Sequence, residues 1–167
     1  MQLGHILGAR VTAVASSAGK LAVAASAGAS VCINHRDGDL RARLKAALPS
    51  GADAVIDPVG GALAEPALRS LRWRGRFVTL GYAGGAIPRI PLNLVLLKGI
   101  AVLGFQILDY MTNEPAQYAA DDARLLELLR EGRAAAHIGA RYGFEDVAAA
   151  MRHVAEGRAV GKVLLSF

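Results

Sequence analysis

Two serines and a lysine directly follow the first strand-like segment of the sequence, at a spacing that suits anion binding. The segment Arg10–Ala15 is apolar and rich in β-branched residues, as buried strands are, and Ser16, Ser17 and Lys20 come after it. Hydroxyl groups, an ammonium group and the free N–H groups of a helix N-terminus all bind phosphate oxygens well. The alternative is that one serine only caps the helix while Lys20 faces solvent, and the residue types alone favour neither interpretation.

The segments around these residues alternate between strand and helix. Apolar runs predict five strands: Arg10–Ala15, Ser30–Asn34, Ala52–Ile56, Gly75–Gly81 and Ile100–Phe105. Helices are predicted between them: Ala18–Ala27, Asp39–Leu48, Leu63–Leu71 and Leu92–Leu97. This alternation predicts an α/β fold whose parallel, doubly wound sheet is covered by helices on both faces. The composition changes near Leu108–Glu114, and the helices and final strand predicted after it suggest a separate segment.

Doubly wound folds bind their ligands at the carboxyl ends of the strands. Apart from the Ser-Ser-x-x-Lys stretch, the residues at those ends are Asn34, His35 and Arg36, then Asp57 to Gly61, Gly81 to Gly85, and Phe105 with Gln106. The paired glycines of the third strand end permit a close backbone approach to a ligand. Taken alone, the turns at the third and fourth strand ends could equally be ordinary loops.

No acidic residue stands at the end of the strand Arg10–Ala15, where sites for NAD usually have an Asp or a Glu. Those sites bind the ribose 2′-hydroxyl with Asp or Glu at a strand end, whereas Ala15, Ser16 and Ser17 are all uncharged. An acid would repel a 2′-phosphate, but hydroxyls and Lys20 suit it, and the neighbouring strand adds the cationic His35-Arg36 pair. The residues therefore favour NADPH over NADH.

Composition excludes several other classes of function. The net charge of +5 comes from scattered residues without a Lys/Arg run and with few aromatics, so no nucleic-acid site is expected. Cys32 is the only cysteine and the four His residues are dispersed, so no disulfide and no metal site are expected. Asp121 and Asp122 are expected on a solvated helix surface. No apolar run reaches the ~18 residues of a membrane span and no signal peptide is evident, which predicts a cytoplasmic protein.

The strings "LGARVTAVASSAGKLAVAASAGA", "NHRDGDL", "DAVIDPVGG", "LRSLRWRGRFVTLGYAGG", "IPLNLVLLKGIAVLGF" and "EGRAVGKVLLSF" occur in this order. As a series they resemble the cofactor-binding half and C-terminal segment of the medium-chain dehydrogenase/reductases, most closely the zinc-independent NADPH:quinone oxidoreductases. The resemblance covers essentially the whole chain. It implies a Rossmann-like fold and NADPH as the cofactor.

The resemblance also implies a role for each matching residue. Ser16, Ser17 and Lys20 would bind the 2′-phosphate. His35 and Arg36 match the last two residues of the family's N-Y-R turn, which contributes to the same phosphate pocket. Asp57, Pro58, Val59 and Gly60 match a D-x-V-G turn that passes beside the cofactor. Gly81, Tyr82 and Ala83 would approach the nicotinamide ribose, and Gly104 and Phe105 the nicotinamide itself. Arg158 would reach back to the phosphate, although its spacing from Gly161-Lys162 differs by one residue from the family pattern.

In complete members of the resembled family a catalytic domain, a strand and a Gly-rich turn come before the helix that "MQLGHILGA" matches. We therefore expect an incomplete Rossmann-like sheet without its first, central strand, in a truncated NADP-binding domain (1–108), followed by a C-terminal segment (109–167) that would pack against the catalytic domain. Val11–Ala15 and Ala54–Ile56 would flank the missing strand. The chain alone is expected to be poorly stable, to pair these flanking strands, or to recruit another chain.

The first functional hypothesis is the cofactor-binding portion of an enzyme that transfers hydride from NADPH to a quinone or an activated double bond such as an enone. No residue of this chain is assigned a catalytic role, and the isolated chain is expected to be inactive. The resemblance also implies a homodimer through the edge strand Ile100–Phe105. The alternatives are a nucleotide-binding or interaction module without catalysis, and a methyltransferase, against which the uncharged Ser16-Ser17 pair argues.

Overall fold

A computed structural model describes all 167 residues of the chain. The helices are α1 (Gln2–Ile6), α2 (Ala18–Ser26), α3 (Leu40–Ala47), α4 (Ala64–Arg69), α5 (Leu92–Lys98), α6 (Ile107–Asn113), α7 (Pro115–Arg130) and α8 (Val147–Ala155). The strands are β1 (Val11–Ala15), β2 (Ala29–Asn34), β3 (Ala52–Asp57), β4 (Leu71–Thr79), β5 (Ala101–Gly104), β6 (Ile138–Gly143) and β7 (Lys162–Ser166). The predicted alternation of strand and helix is confirmed.

All strand pairs are parallel, as predicted for a Rossmann-like fold. β1 pairs with β2, β4 lies between β3 and β5, and β6 pairs with β7. The chain forms two compact units, one made of Met1–Arg36 and Arg124–Phe167, the other of Asp37–Ala123. None of the helices combines the length and the apolarity needed to cross a bilayer.

The unit Asp37–Ala123 has a core of large side chains beside its three-stranded sheet. Leu68 of α4, Leu71 and Phe77 of β4, and Leu94 of α5 are buried together. Full burial of a Leu or Phe side chain stabilises a fold by roughly 1.5–3 kcal/mol. This core packs α4 and α5 against β3 and β4, and β5 is held by its pairing with β4.

The other unit buries smaller side chains. Ala13 of β1, Ala24 of α2 and Ile33 of β2 are buried in this unit, where α2 packs against both strands. The Cys32 thiol donates to the backbone carbonyl of Leu21, which ties β2 to α2 at 3.5 Å between sulfur and oxygen. Because only Ser16 and Ser17 separate β1 from α2, the N-terminus of α2 lies directly after the end of β1.

β4 begins earlier than predicted, at Leu71 instead of Gly75. Its pairing with β3 is interrupted, since Ala52 pairs with Leu71 but Ala54 already pairs with Arg76. Arg74 in this bulge adopts a φ of 62°, which is uncommon for a residue with a side chain. The apolar pattern missed this part of the strand because its side chains, Arg72, Trp73 and Arg74, are exposed.

Of the outcomes expected for a sheet without its central strand, direct pairing of the flanking strands is not found. β1 has β2 as its only paired neighbour, and β3 has only β4. Each of these strands therefore keeps one side that pairs with no strand of this chain. Low stability and recruitment of another chain stay predictions.

Candidate functional site

The Ser-Ser-x-x-Lys stretch forms a compact polar cluster where β1 leads into α2. Ser17 caps the helix, since its Oγ accepts from the backbone N–H of Lys20 at 3.4 Å. The Lys20 ammonium donates to Ser16 Oγ at 3.4 Å and to the carbonyl oxygen of Gly157 at 2.6 Å. Lys20 is partly buried and does not simply face solvent. The capping interpretation is thus correct for Ser17, while Ser16 and Lys20 remain available to an anion.

The other cationic residues predicted for this cluster lie on neighbouring segments of the same unit. The backbone N–H of His35 donates to the carbonyl oxygen of Ala15 at 3.0 Å, which holds the end of β2 beside the end of β1. Arg36 is exposed, and its backbone N–H donates to Asn34 Oδ1 at 3.1 Å. Arg158 follows Gly157 in the chain, but its guanidinium pairs with Glu156 at 2.6 Å. Arg158 would bind a phosphate only if its guanidinium contacted both the phosphate and Glu156, or released Glu156.

In the other unit, the turns after β3 and β4 are connected by backbone hydrogen bonds. Asp57 is buried, and its Oδ1 accepts from the N–H groups of Val59 and Gly60, each at 2.9 Å. The N–H of Ala83 donates to the carbonyl oxygen of Pro58 at 3.1 Å. A Cβ atom on Gly60, whose φ is +68°, would lie 2.8 Å from the Tyr82 ring. Glycine is therefore required there, because Tyr82 packs against the turn.

The carboxyl ends of β4 and β5 open into a cavity of about 650 Å³, within the usual range for small-molecule sites. Its lining is Thr79, Leu80, Gly81, Tyr82, Gly104, Phe105, Gln106, Asp109, Tyr110, Asn113 and Glu114. Four of the predicted nicotinamide-side residues therefore line one cavity: Gly81, Tyr82, Gly104 and Phe105. Tyr82 and Phe105 are each about 40% exposed, so both residues can contact a ligand.

Sequence reasoning missed Tyr110, which lines the same cavity. Its ring lies 5.3 Å from that of Phe105, centroid to centroid, and its Oη donates to Asp121 at 2.6 Å. The hydrogen bond to the Asp121 carboxylate, above all, raises the pKa of Tyr110 to about 12. Asp121 is exposed on α7, as expected for a solvated helix surface, and it also accepts from Gln117 at 3.0 Å. The spacing of Gln117 and Asp121, one helical turn apart on α7, was the available signal.

Comparison with known families decides the classification. Residues 1–122 match the family model described as zinc-binding dehydrogenase. The chain belongs to the zinc-binding dehydrogenase family. This dehydrogenase family is one of oxidoreductases, which disfavours the methyltransferase alternative. Zinc itself does not fit this chain, because no group of three or more His, Cys, Asp or Glu side chains is placed to hold a metal ion.

Relatives of this zinc-binding dehydrogenase chain are longer than the chain itself. Quinone oxidoreductase-like protein 2 of Bos taurus is 37% identical over 163 residues, which are 97% of this chain and 47% of the relative. The human synaptic vesicle membrane protein VAT-1 homolog is 34% identical over 149 residues, covering 80% of this chain and 38% of the relative. The chain thus spans about half or less of the length of these proteins.

Among solved structures, the quinone oxidoreductase of Escherichia coli complexed with NADPH superposes with a TM-score of 0.84 at 28% identity, covering 98% of this chain and 51% of that one. A mycobacterial protein complexed with NADPH superposes with a TM-score of 0.87 at 24% identity, over 99% of this chain and 51% of that one. These similarities confirm the Rossmann-like fold.

Proposed function

We propose that this chain is the cofactor-binding portion of an NADPH-dependent oxidoreductase that reduces a quinone or an activated carbon–carbon double bond. The observation that carries the proposal is the cluster of Ser16, Ser17 and Lys20 at the N-terminus of α2, where no acidic residue stands at the end of β1. The similarity to a quinone oxidoreductase that was solved in complex with NADPH supports it.

In this proposal the adenosine 2′-phosphate lies against Ser16 and the Lys20 ammonium. An ammonium group has three N–H donors, and the side chain of Lys20 uses two of them on Ser16 and Gly157. The third is free for a phosphate oxygen, and at the neighbouring strand end Arg36 adds a positive charge and His35 a ring that can form a hydrogen bond. A ribose 2′-hydroxyl without phosphate would leave this charge unpaired, so the cluster favours NADPH over NADH.

The nicotinamide end is assigned to the cavity at the ends of β4 and β5. NADPH, when bound, supplies the hydride. Tyr82 and Phe105 supply apolar ring surface that excludes water, while the Asp57–Gly60 turn and the backbone of Gly81, Ala83 and Gly104 allow close approach of the ribose. No side chain of this chain is assigned a proton-transfer step, so its contribution is binding and orientation.

We further propose that the protein is cytoplasmic, that residues 1–108 form its NADP-binding domain and residues 109–167 a C-terminal segment, and that it forms a homodimer through β5. All four residues of β5 are exposed, and its outer side pairs with no strand of the chain. An unpaired edge strand is ready to extend the sheet into a second copy.

Calorimetric titration of the purified chain with NADPH and with NADH tests the proposal. We expect NADPH to bind at least about tenfold more tightly, which corresponds to ~1.4 kcal/mol of additional binding free energy. Equal affinity for both cofactors would contradict it. A nucleotide-binding module without catalysis gives the same titration. A second assay follows NADPH oxidation with a simple benzoquinone, and robust oxidation by the isolated chain would contradict both interpretations. The cofactor-binding portion alone is expected to show little or no turnover.

A further inference from the structure

The cavity at the carboxyl ends of β4 and β5 is lined by acidic and neutral polar groups but by no basic group. Asp109 and Glu114 contribute carboxylates, and no Lys or Arg lines the cavity. A phosphate or carboxylate ligand would meet only like charge there. The lining therefore suits a ligand group without negative charge. Its neutral polar side chains are the hydroxyls of Thr79, Tyr82 and Tyr110 and the amides of Gln106 and Asn113.

Gln106 presents a hydrogen-bond donor whose direction is fixed. Its Oε1 accepts from the backbone N–H of Asp109 at 2.9 Å and so caps α6. Turning the planar amide over would place its NH₂ against that N–H group, which is unfavourable because both are donors. Nε2 has no hydrogen-bond partner in the chain. In contrast, Nδ2 of Asn113 already donates to the carbonyl oxygen of Asp109 at 2.8 Å.

We propose that Gln106 binds the carboxamide of the nicotinamide ring, with Nε2 donating to the carboxamide oxygen. This inference rests on the proposed function, which assigns the nicotinamide to this cavity through the adjacent Gly104-Phe105 pair. The carboxamide is neutral and carries both a carbonyl oxygen for Gln106 and an NH₂ group for the carboxylates of the lining. Gln106 is then a positioning residue that fixes the rotation of the ring against Phe105. The N–H groups of the short helix α6 take no part in the binding.

Gln106→Glu separates the two functions of this side chain. The glutamate keeps an oxygen that caps α6 but removes the Nε2 donor, whereas Gln106→Met removes both. Gln2→Glu is the matched control, because Gln2 Oε1 also accepts a backbone N–H, that of Ala135 at 3.0 Å, and Gln2 does not line the cavity. NADPH and 2′-phospho-ADP-ribose are the two ligands. They share the phosphates, and only NADPH carries the nicotinamide ring.

We expect Gln106→Glu to weaken NADPH binding about tenfold while the affinity for 2′-phospho-ADP-ribose stays within about twofold. Gln2→Glu is expected to change neither affinity. The midpoint of thermal unfolding should stay near that of the wild type for Gln106→Glu and fall for Gln106→Met, because only the glutamate keeps the cap.

Three results would overturn the inference while leaving the proposed function intact. These are an unchanged NADPH affinity of Gln106→Glu, an equal loss for both ligands, and a wild-type affinity for NADPH no greater than that for 2′-phospho-ADP-ribose. A wild-type chain that binds neither ligand would contradict the proposed function itself, and the inference with it.

Discussion

At the scale of single residues, Lys20 joins α2 to a residue 137 positions away in the sequence, through its hydrogen bond to Gly157. Its contact with Ser16 is longer, at 3.4 Å, than the 2.6 Å contact with the Gly157 carbonyl. A phosphate oxygen can therefore approach the ammonium from the Ser16 side without breaking the stronger contact. The phosphate end of the proposed site depends on this side chain.

Lys20→Met is expected to weaken NADPH binding at least about tenfold, since a charge-assisted hydrogen bond contributes roughly 1.5–3 kcal/mol. NADH binding should change little, because NADH lacks the 2′-phosphate. Lys45→Met removes the same charge from an exposed position on α3 and serves as the control. The affinities are measured by calorimetry. An equal loss for NADPH and NADH would show that Lys20 acts only on the fold.

Gly60 is the glycine whose replacement should matter most beside the cavity. Gly60→Ala places Cβ 2.8 Å from the Tyr82 ring at a φ of +68°. Gly85→Ala is the matched control in the same unit, because Gly85 has a φ of +86° and a Cβ atom there would have no neighbouring atom within 4 Å. Both variants lose about 1–2 kcal/mol of unfolding free energy through left-handed strain.

We expect Gly60→Ala to lose more than Gly85→Ala in denaturant unfolding, because only there does the Tyr82 ring have to move. The same variant should weaken NADPH binding, since Tyr82 lines the cavity. Equal unfolding free energies for the two variants would mean that the packing of Tyr82 on the turn contributes nothing to stability.

Tyr110 makes stability depend on pH in the alkaline range. Its pKa of about 12 in the fold lies above the ordinary value of 10.0, so the unfolded chain loses this proton first as the pH rises. The stabilising effect of Tyr110 is complete below pH ~10 and is lost as the pH rises towards 12. Between these pH values, the unfolding temperature of Tyr110→Phe should therefore fall by less than that of the wild type. Identical pH dependence in both proteins would contradict the Tyr110–Asp121 hydrogen bond.

At the scale of elements, the sequence pattern predicted the strands that carry the site but not all of their limits. β1, β2, β3 and β5 are short apolar runs, so periodicity located each of them to within a few residues. The pattern did not predict the beginning of β4, because exposed arginines and Trp73 occupy its bulge. Helix α6 was not predicted because it depends on the Gln106 cap and on the hydrogen bond from Tyr110 to Asp121. Neither interaction can be read from a local pattern of apolar residues.

Among the polar residues of the proposed site, too, some features could be predicted from local sequence and others depend on the fold. Ser16, Ser17 and Lys20 could be proposed from the sequence because their chemistry and spacing are local to one strand end. The donation of Lys20 to Gly157 could not be predicted without the fold, since the two residues are far apart in sequence. The role of Gln106 as a cap was equally hidden, because it depends on where α6 begins.

The edge strand β5 makes a prediction about assembly. The wild-type chain is expected to elute as a dimer of twice its 17.4 kDa mass, and Leu103→Lys should yield a monomer because a charged edge opposes strand pairing. Leu126→Lys on α7 is the control, since Leu126 is 41% exposed and Leu103 is 44% exposed. Light scattering after size exclusion measures the mass. A monomeric wild type, or dissociation by both variants, would refute the proposed interface.

At the scale of the whole molecule, each of the two units carries one cluster of predicted residues, and the two clusters differ in charge. The cluster after β1 carries Lys20, His35 and Arg36, which suits phosphate. The cavity after β4 and β5 carries carboxylates, rings and amides, which suits a neutral ring. The net charge of +5 is therefore not divided evenly between the two clusters.

A crystal structure of the chain with bound NADP⁺ tests the central claim most directly. We predict that the 2′-phosphate lies within about 3 Å of Lys20 Nζ and Ser16 Oγ, at hydrogen-bond distance. A 2′-phosphate bound away from both residues would contradict the account.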